Sequence, residues 1–287
     1  MTNYQIITDS GADLPTDLLA SLNVKMASLS LLFRGQVLAD SVTDETKTFY
    51  QAMREGESAT TSAINPDGWA AVMEPVLKEG KDILVIAFSS GLSTTYQSAV
   101  IAADELREQY PQRTIRVVDS LCASLGQGLL VWYACQKRDA GMALGELADW
   151  VETRKWNLSH WFTVDDLRYL KRGGRISAAT ALVGTMLNIK PVLHVDEEGR
   201  LVSVTKTRGR KASIQALVQQ MEATMLPGEN DAAFICHGDC LEDAQLLASL
   251  IKERCGVKEV FIGYTGAVIG SHSGPGTLAL FFLGSQR

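Results

Sequence analysis

Hydroxyl side chains are concentrated in one short segment of the chain, Ser-Ser-Gly-Leu-Ser-Thr-Thr at 89–95. The apolar run at 82–89 before it has the composition of a strand covered on both faces, and a helical pattern follows at 95–110. Ligands in open α/β sheets collect at the carboxyl ends of strands, and a helix N-terminus suits an anion. Capping alone would need one hydroxyl, whereas this segment has several. We therefore expect the loop to hold the anionic head of a small ligand, with Ser93 and Thr94 among the donors.

Polar side chains also follow other predicted strands. Asp9 and Ser10 come after the strand predicted at 4–8, and Asp119 and Ser120 come after the apolar run at 115–118. Thr-Thr-Ser at 60–62 precedes an Asn-Pro helix start at 65–66, although such residues also serve as plain caps. Together with the loop at 89–95, these positions predict a shared polar rim at one edge of the sheet.

Two further segments carry side chains capable of chemistry. His272 lies between two serines, one of them Ser273, just before a Gly-Pro-Gly turn at 274–276. A lone histidine is more often structural, but a glycine-rich loop allows a ligand to approach closely. Residues 165–176 read as a helix that ends in basic residues and Gly-Gly, with Arg172 and Arg175 at its end. Cations there can complement the helix dipole or form a basic corner for a partner that carries phosphate.

The elements that must position these residues follow two patterns. Up to about residue 155, strands at 4–8, 24–33, 82–89 and 115–119 alternate with helices, which predicts a doubly wound parallel sheet. Beyond it, a hairpin at 190–206 is followed by helices at 210–225 and 241–255 and by strands at 232–237, 260–262, 267–270 and 278–283. This order predicts an α+β domain with a mixed sheet. We expect domains at 1–158 and 159–287.

Composition excludes several classes of protein. The chain has 287 residues, a net charge of −6 and 46% hydrophobic residues, so it can bury sizeable cores but lacks the basic surface of a nucleic-acid binder. No window has the apolar length of a membrane span, and the first residues do not resemble a signal peptide, so we expect a cytoplasmic protein. Five cysteines argue against a disulfide framework, and Cys-His-Gly-Asp-Cys at 236–240 lacks zinc-site spacing. We expect neither metal nor cofactor.

Together these motifs resemble the DegV family of bacterial fatty-acid-binding proteins. The matching stretches span almost the whole chain in order: Thr-Asp-Ser-Gly-Ala-Asp-Leu-Pro at 8–15, Thr-Thr-Ser at 60–62, Ser-Ser-Gly-Leu-Ser-Thr-Thr-Tyr-Gln-Ser-Ala at 89–99, Val-Asp-Ser at 118–120, Leu-Arg-Tyr-Leu-Lys-Arg-Gly-Gly-Arg-Ile-Ser at 167–177, Leu-Asn-Ile-Lys-Pro-Val-Leu at 187–193 and His-Ser-Gly-Pro-Gly-Thr-Leu at 272–278. Two positions depart from the family pattern, the segment at 63–65 and Thr94, where a glycine is common.

The resemblance implies a three-layer parallel-sheet α/β domain followed by a two-layer α+β domain, with a long-chain fatty acid in an apolar tunnel between them. It implies that the carboxylate is held by Ser93, by Thr61 and Ser62, and by His272. It also implies a carrier role without catalytic residues: a separate ATP-dependent fatty acid kinase subunit phosphorylates the bound carboxylate. Arg172 and Arg175 match positions that could contact this kinase or the phosphate.

Other functions stay open at this stage. A hydrolase could use Ser93 as nucleophile and His272 as base, but the loop lacks G-x-S-x-G, and the sequence assigns no acid partner to the histidine. A kinase-like activity would need a nucleotide site, and G-x-x-x-x-G-K-[ST] is not present. A pure interaction protein would copurify with no lipid.

Overall fold

A computed structural model describes residues 3–43, 45–177 and 188–287. Residue 44 lies outside the described residues, and so does Leu187, the first residue of the stretch at 187–193 that carries part of the family resemblance. Within the part of the chain that is described, no helix is long and apolar enough to cross a membrane.

The strands of the first half are β1 (Tyr4–Asp9), β2 (Val24–Ala27), β3 (Ser30–Phe33), β4 (Gln36–Ala39), β5 (Thr60–Ser62), β6 (Asp82–Ala87) and β7 (Ile115–Asp119). Its helices are α1 (Thr16–Ser21), α2 (Thr46–Arg54), α3 (Pro66–Lys78), α4 (Thr95–Gln109), α5 (Leu125–Asp139) and α6 (Leu144–Arg154). The strands of the second half are β8 (Leu158–Thr163), β9 (Ile189–Val195), β10 (Leu201–Arg208), β11 (Ala232–His237), β12 (Glu259–Tyr264) and β13 (Leu278–Leu283). Its helices are α7 (Leu167–Arg172), α8 (Arg210–Thr224), α9 (Leu241–Cys255) and α10 (Ala267–Ser273).

A four-stranded parallel sheet in the order β2-β1-β6-β7 forms the centre of the first half. Alternate residues of β6 enter two different cores: Leu84 and Ile86 pack on the side of α5 and α6, and Ile83 and Val85 pack on the side of α3 and α4. Every interior residue of β6 is therefore buried, which explains its uninterrupted apolar sequence. The three-layer arrangement predicted for this half is confirmed.

A six-stranded sheet in the order β10-β9-β8-β13-β11-β12 forms the second half. Only the pair β11 and β12 is parallel, so the sheet is mixed, as predicted. Helices α8 and α9 cover one face, and α5 from the first half packs against the other. Because α5 lies between two sheets, its residues from Leu125 to Val131 are all buried.

Three predicted elements differ from the structure. The single strand predicted at 24–33 is wrong, because β2 joins the parallel sheet while β3 belongs to a separate small sheet in the order β4-β3-β5. Thr-Thr-Ser at 60–62 is not a strand end of the parallel sheet but strand β5 itself, paired antiparallel to β3. The strand predicted at 267–270 is helix α10. A four-residue apolar run does not distinguish a buried strand from a buried helical turn.

Candidate functional site

A cavity of about 550 Å³ opens between the two halves of the chain. Its volume falls within the range of roughly 300–1,000 Å³ that small-ligand pockets occupy. Its polar lining comes mainly from four places: β5, the loop before α4, the segment after α7 and the end of α10. Its apolar walls include Phe88, Phe162, Leu170, Leu201, Ala279 and Phe281.

The polar end of the cavity is centred on a contact between Thr61 and His272. Thr61 Oγ1 and His272 Nε2 lie 2.8 Å apart, although the two residues are 211 positions apart in sequence. Helix α10 carries the histidine and packs against β5 and α7, which brings the three segments together. If the ring carries its proton on Nε2 and donates it to Thr61, the hydroxyl hydrogen of Thr61 is free to point into the cavity.

His272 is held tightly on its other side. A Cβ atom at Gly173 would lie 2.0 Å from His272 Nδ1, so only glycine leaves room for the ring where α7 ends. Burial, followed by the positive charges of Arg175 and Arg172, lowers the pKa of His272 to about 4. The imidazole is therefore neutral at pH 7 in the free protein and acts as a hydrogen-bonding group there, not as a cation.

Ser93 is positioned by the start of α4. Its Oγ accepts a hydrogen bond from the backbone N–H of Thr95 at 3.2 Å and lies 2.9 Å from the hydroxyl oxygen of Thr95. When the Thr95 hydroxyl donates to Ser93, the Ser93 hydrogen is free for a ligand. The neighbouring Thr94 is exposed and makes no side-chain capping bond to α4.

The two arginines whose charges act on His272 have different surroundings. Arg175 lines the cavity and holds the hydroxyl loop in place, because its Nε and Nη2 donate to the carbonyl oxygen of Leu92 at 3.2 and 3.0 Å. Its Nη1 donates to the carbonyl oxygen of Gly173. Arg172 does not line the cavity; it is exposed and its guanidinium lies 5.0 Å from the ring centroid of Tyr169.

The apolar part of the cavity follows strand β13. Ala279 and Phe281 lie on one face of the strand, and Thr277 directly precedes it. All three line the cavity and span about 13 Å. Ala279 pairs with Phe162, and Phe281 pairs with His160. The floor therefore changes from hydroxyl-bearing near His272 to apolar further along the strand.

The first turn of α5 packs directly against the sheet beside two lining residues of the cavity, His160 and Phe281. A Cβ atom at Gly126 would lie 2.1 Å from His160 Nε2 and 2.8 Å from Phe281, so helix and sheet touch there without a gap. His160 Nδ1 donates to the carbonyl oxygen of Leu158 at 2.9 Å, and burial lowers the pKa of His160 to about 3. His160 is therefore neutral and lines the wall of the cavity.

The structure brings all the predicted ligand-contacting residues to this one cavity: Thr61, Ser62, Ser93, Thr94, His272 and Ser273 all line it. Ser273 Oγ is buried and has no hydrogen-bond partner among the described residues, so a polar ligand atom could satisfy it. That these residues contact a ligand stays a prediction, as does the role of Arg172 and Arg175.

The predicted polar rim is only partly a ligand surface. The carboxyl ends of β1, β6 and β7 do lie at one edge, but Asp9 accepts hydrogen bonds from Gly11 and Phe88, and Asp119 from Ser90 and Leu121. Ser89 donates to the carbonyl oxygen of Gly199 at 2.8 Å. These groups tie loops together and are not available to a ligand.

Some residues of the cavity were not anticipated from the sequence. Gln97, one turn into α4, lines the polar end, and Gly173 positions His272. Helical spacing from Ser93 could have indicated Gln97, since residues three and four apart share a face. Nothing in the sequence alone links Gly173 to a histidine about a hundred residues later.

A hydrolytic pairing of Ser93 with His272 is not formed. The hydroxyl of Ser93 is bonded to Thr95, and the Nε2 of His272 is bonded to Thr61. Nucleophilic catalysis needs the nucleophile and its base within hydrogen-bond reach of each other.

Comparison with known proteins fits this architecture. The DegV family model, which describes uncharacterised proteins, matches residues 3–285. The chain belongs to the DegV family. A DegV domain-containing protein of Clostridium perfringens is 44% identical over 289 residues, which cover 100% of this chain and 99% of that protein.

Solved DegV structures share the fold. A DegV family protein of Thermus thermophilus, described as fatty-acid-binding, has a TM-score of 0.87 and 33% identity over 98% of this chain and 99% of its own. The B3 protein of the Streptococcus pneumoniae fatty acid kinase, loaded with linoleic acid, has a TM-score of 0.85 over 99% of each chain. At 23% identity the latter shows a common fold. The fold class predicted from the sequence is confirmed.

Proposed function

We propose that this protein binds a long-chain fatty acid in the cavity and presents its carboxylate to a separate ATP-dependent kinase subunit for acyl-phosphate formation. The observation that carries the proposal is the change along one cavity from apolar walls at β13 to hydroxyl and imidazole groups around His272. Fatty acid binding by the DegV protein of Thermus thermophilus supports the same ligand class. The ligand lies between the units 1–158 and 159–287, which we treat as two domains.

The acyl chain supplies most of the affinity. Burial of about 16 carbons at ~0.8 kcal/mol per CH₂ contributes on the order of 12 kcal/mol before the costs of association. Each hydrogen bond to the ionised head adds roughly 1.5–3 kcal/mol, part of which is lost in desolvation. The head-group contacts therefore set the orientation of the fatty acid more than its total affinity.

The carboxylate is held by donors that are already oriented. Thr61 accepts a hydrogen bond from the Nε2–H of His272 and points its own hydroxyl hydrogen towards the ligand. Ser93 accepts a hydrogen bond from the Thr95 hydroxyl and points its own hydrogen towards the ligand in the same way. A neutral imidazole is suited to this relay, because it avoids burying a cation before the ligand arrives. Ser273 and Ser62 stand beside this pair.

The carboxylate end is the one that a partner can reach. Ser62 and Thr94 are exposed at the edge of the cavity, whereas Ala279 and Phe281 in its apolar part are buried. Arg172 is exposed near this edge, and its charge acts on His272. A guanidinium there can stabilise charge on a transferred phosphoryl group. The proposal that the partner is a kinase subunit rests on the family resemblance.

Mass spectrometry of lipid released by denaturing the purified protein tests the ligand. We expect stoichiometric long-chain fatty acid from the wild type and little from Ala279→Trp, because Ala279 lines the apolar part of the cavity and a bulky side chain there takes up space for the acyl chain. His272→Ala, by contrast, should retain the lipid with lowered affinity. Circular dichroism checks that both variants fold. Recovery of no lipid from the wild type, and no uptake of added oleate, would contradict the proposal.

A further inference from the structure

A second set of polar side chains lines the cavity away from the head-group residues. Ser124, Cys236 and Thr265 all border the cavity, and none of them contacts His272. The hydroxyl oxygens of Ser124 and Thr265 lie 3.2 and 3.1 Å from the sulfur of Cys236. On its other side Ser124 bonds to the carboxyl group of Asp13. We call Asp13, Ser124, Cys236 and Thr265 the inner polar cluster.

The inner polar cluster lies well away from the contact between Thr61 and His272. Cys236 pairs with Ala279 of β13, and Ala279 pairs with Phe162, so the thiol shares a row of the sheet with two apolar residues that line the cavity. Thr265 precedes α10, whose opposite end carries His272. The seven positions from Thr265 to His272 correspond to about 10 Å at the rise of a helix. A ligand atom at the cluster therefore belongs to the middle of an acyl chain whose carboxylate lies at His272.

Helix capping does not account for these two hydroxyl groups. Ser124 is the N-cap residue of α5, but its side chain makes no capping bond to that helix. Thr265 precedes the N-cap residue of α10, and its hydroxyl bonds to Cys236 instead. Ser124 also has a φ of 55° and a ψ of −149°, a backbone conformation that strongly favours glycine. A serine in this conformation, with its hydroxyl turned to Asp13 and Cys236, indicates a role in the cavity.

The inner polar cluster has hydrogen-bonding capacity that its own members do not use. A hydroxyl group offers one donor and two acceptor sites, and a thiol is a weak donor and a weak acceptor. The side chain of Thr265 has one partner, Cys236, among the described residues. If Thr265 donates to the sulfur it can still accept a bond, and if it accepts from the thiol it can still donate one. A ligand hydroxyl both donates and accepts, so it fits either arrangement, whereas an apolar chain leaves this capacity unused.

A charged group is a poor match for this part of the cavity. Burial, followed by the negative charge of Asp40, raises the pKa of Asp13 well above its usual value, which favours the uncharged form of its carboxyl group. An uncharged carboxyl group attracts a cation only weakly, and no group of side chains within residues 3–43, 45–177 and 188–287 could hold a metal ion. An anion would meet the buried carboxyl groups of Asp13 and Asp40, and like charges at a buried site are disfavoured. The matching ligand group is therefore uncharged and forms hydrogen bonds.

We propose that the inner polar cluster is a second subsite of the cavity and binds a hydroxyl group on the middle of the acyl chain, an inference that rests on the proposed function. The ligand class is then a long-chain fatty acid with a mid-chain hydroxyl, alongside the unsubstituted acid. In a cavity without polar groups an added hydroxyl weakens binding, because a buried hydroxyl without a partner loses its hydrogen bonds to water. Ser124 and Thr265 supply partners here, so the hydroxy acid binds without that loss.

Calorimetric titration with stearate and with 10-hydroxystearate tests the subsite. Thr265→Val nearly keeps the shape of the side chain and removes its hydroxyl group. Thr163→Val is the matched control, because Thr163 is also a buried threonine of the second half but does not line the cavity. Ser124→Ala covers the case in which Thr265→Val impairs folding, and circular dichroism checks all three variants.

We expect the wild type to bind 10-hydroxystearate at least as tightly as stearate. In Thr265→Val and in Ser124→Ala the ratio of the two affinities should shift about tenfold against the hydroxy acid, which is the effect of one lost hydrogen bond to a buried hydroxyl. In Thr163→Val the ratio should keep its wild-type value. The affinity for 2-hydroxystearate, whose hydroxyl lies beside the carboxylate, should show no such shift relative to stearate in any of the variants.

Three outcomes would contradict the subsite, and only the last also contradicts the proposed function. Weaker binding of 10-hydroxystearate than of stearate by the wild type would overturn the subsite alone. An unchanged ratio in both Thr265→Val and Ser124→Ala would do the same, because the hydroxyl group would then be bound elsewhere. Failure of the wild type to bind either acid would overturn fatty acid binding and the subsite with it.

Discussion

Gly173→Ala is a minimal change that should disturb the head-group contacts while leaving the acyl cavity intact. The new methyl group would lie 2.0 Å from His272 Nδ1, and Cβ contacts under 3.0 Å are essentially never found, so the ring must move by about 1 Å. Gly173 has no positive φ, so alanine itself fits the backbone at this position. His272 is only partly buried, which gives the ring room to turn away without unfolding the protein.

The displacement has a calculable effect on binding. The bond between Thr61 and His272 is 2.8 Å long, and a shift of about 1 Å takes it beyond hydrogen-bond distance. Loss of one oriented donor to an ionised group costs roughly 1.5–3 kcal/mol, which corresponds to about a tenfold to hundredfold weaker binding of the acid. A fatty alcohol of the same chain length carries no charge, so its affinity should fall by less than about threefold.

Calorimetric titration with palmitate and with hexadecanol measures both affinities. Gly174→Ala is the local control: φ at Gly174 is +71°, so alanine adds about 1 kcal/mol of strain, but its Cβ meets nothing within 4 Å. Gly145→Ala in α6, where the Cβ also meets nothing, should be neutral or slightly stabilising. If Gly173→Ala keeps the affinity for the acid and the preference of acid over alcohol, the assigned role of His272 is refuted.

Three other predictions concern Ser93, His272 and the buried carboxyl group of Asp40. Ser93→Ala should lower fatty acid affinity only moderately but reduce acyl-phosphate formation strongly, because the hydroxyl orients the carboxylate. Single-turnover assays with saturating lipid separate the effect on binding from the effect on phosphorylation. Normal phosphorylation in this variant would count against the role of Ser93. NMR titration should find the pKa of His272 near 4 without ligand and higher with palmitate bound, because a carboxylate favours the imidazolium. An unchanged pKa of His272 would show that its imidazole does not contact the palmitate carboxylate. Burial raises the pKa of Asp40 from its usual value to about 6, so its protonated form is favoured in the folded state and its contribution to stability is lost as the pH rises from about 4 through 6. Asp40→Asn keeps an acceptor for the Val268 N–H and should flatten the decline in unfolding free energy between pH 4 and 7 by on the order of 2 kcal/mol. Urea denaturation at pH 4, 5.5 and 7 measures this, and an equally steep decline in the variant would contradict it.

The local sequence was sufficient to predict the elements whose neighbours are close in the chain. The apolar run that forms β6 indicates a buried parallel strand, because its side chains enter two cores. The acidic and glycine residues at 196–199 predict the turn between β9 and β10, since they favour tight backbone turns. The hydroxyl loop before α4 was predicted as an anion site on the same local grounds.

The family resemblance added the long-range grouping of Thr61, Ser93 and His272, which no spacing argument could supply. The contact between Thr61 and His272 joins residues 211 positions apart, and it exists because α10 packs between β5 and α7.

Only the tertiary structure decided where the ambiguous segments belong. The apolar residues at 267–270 form helix α10, because a helix there can pack against α2, α7 and β5 while its end carries His272. The segment at 24–33 divides between two sheets for the same kind of reason, since each half buries its apolar residues against a different partner. A short apolar run indicates that its residues are buried, but it does not indicate which residues they pack against. Those packing partners come from distant parts of the chain.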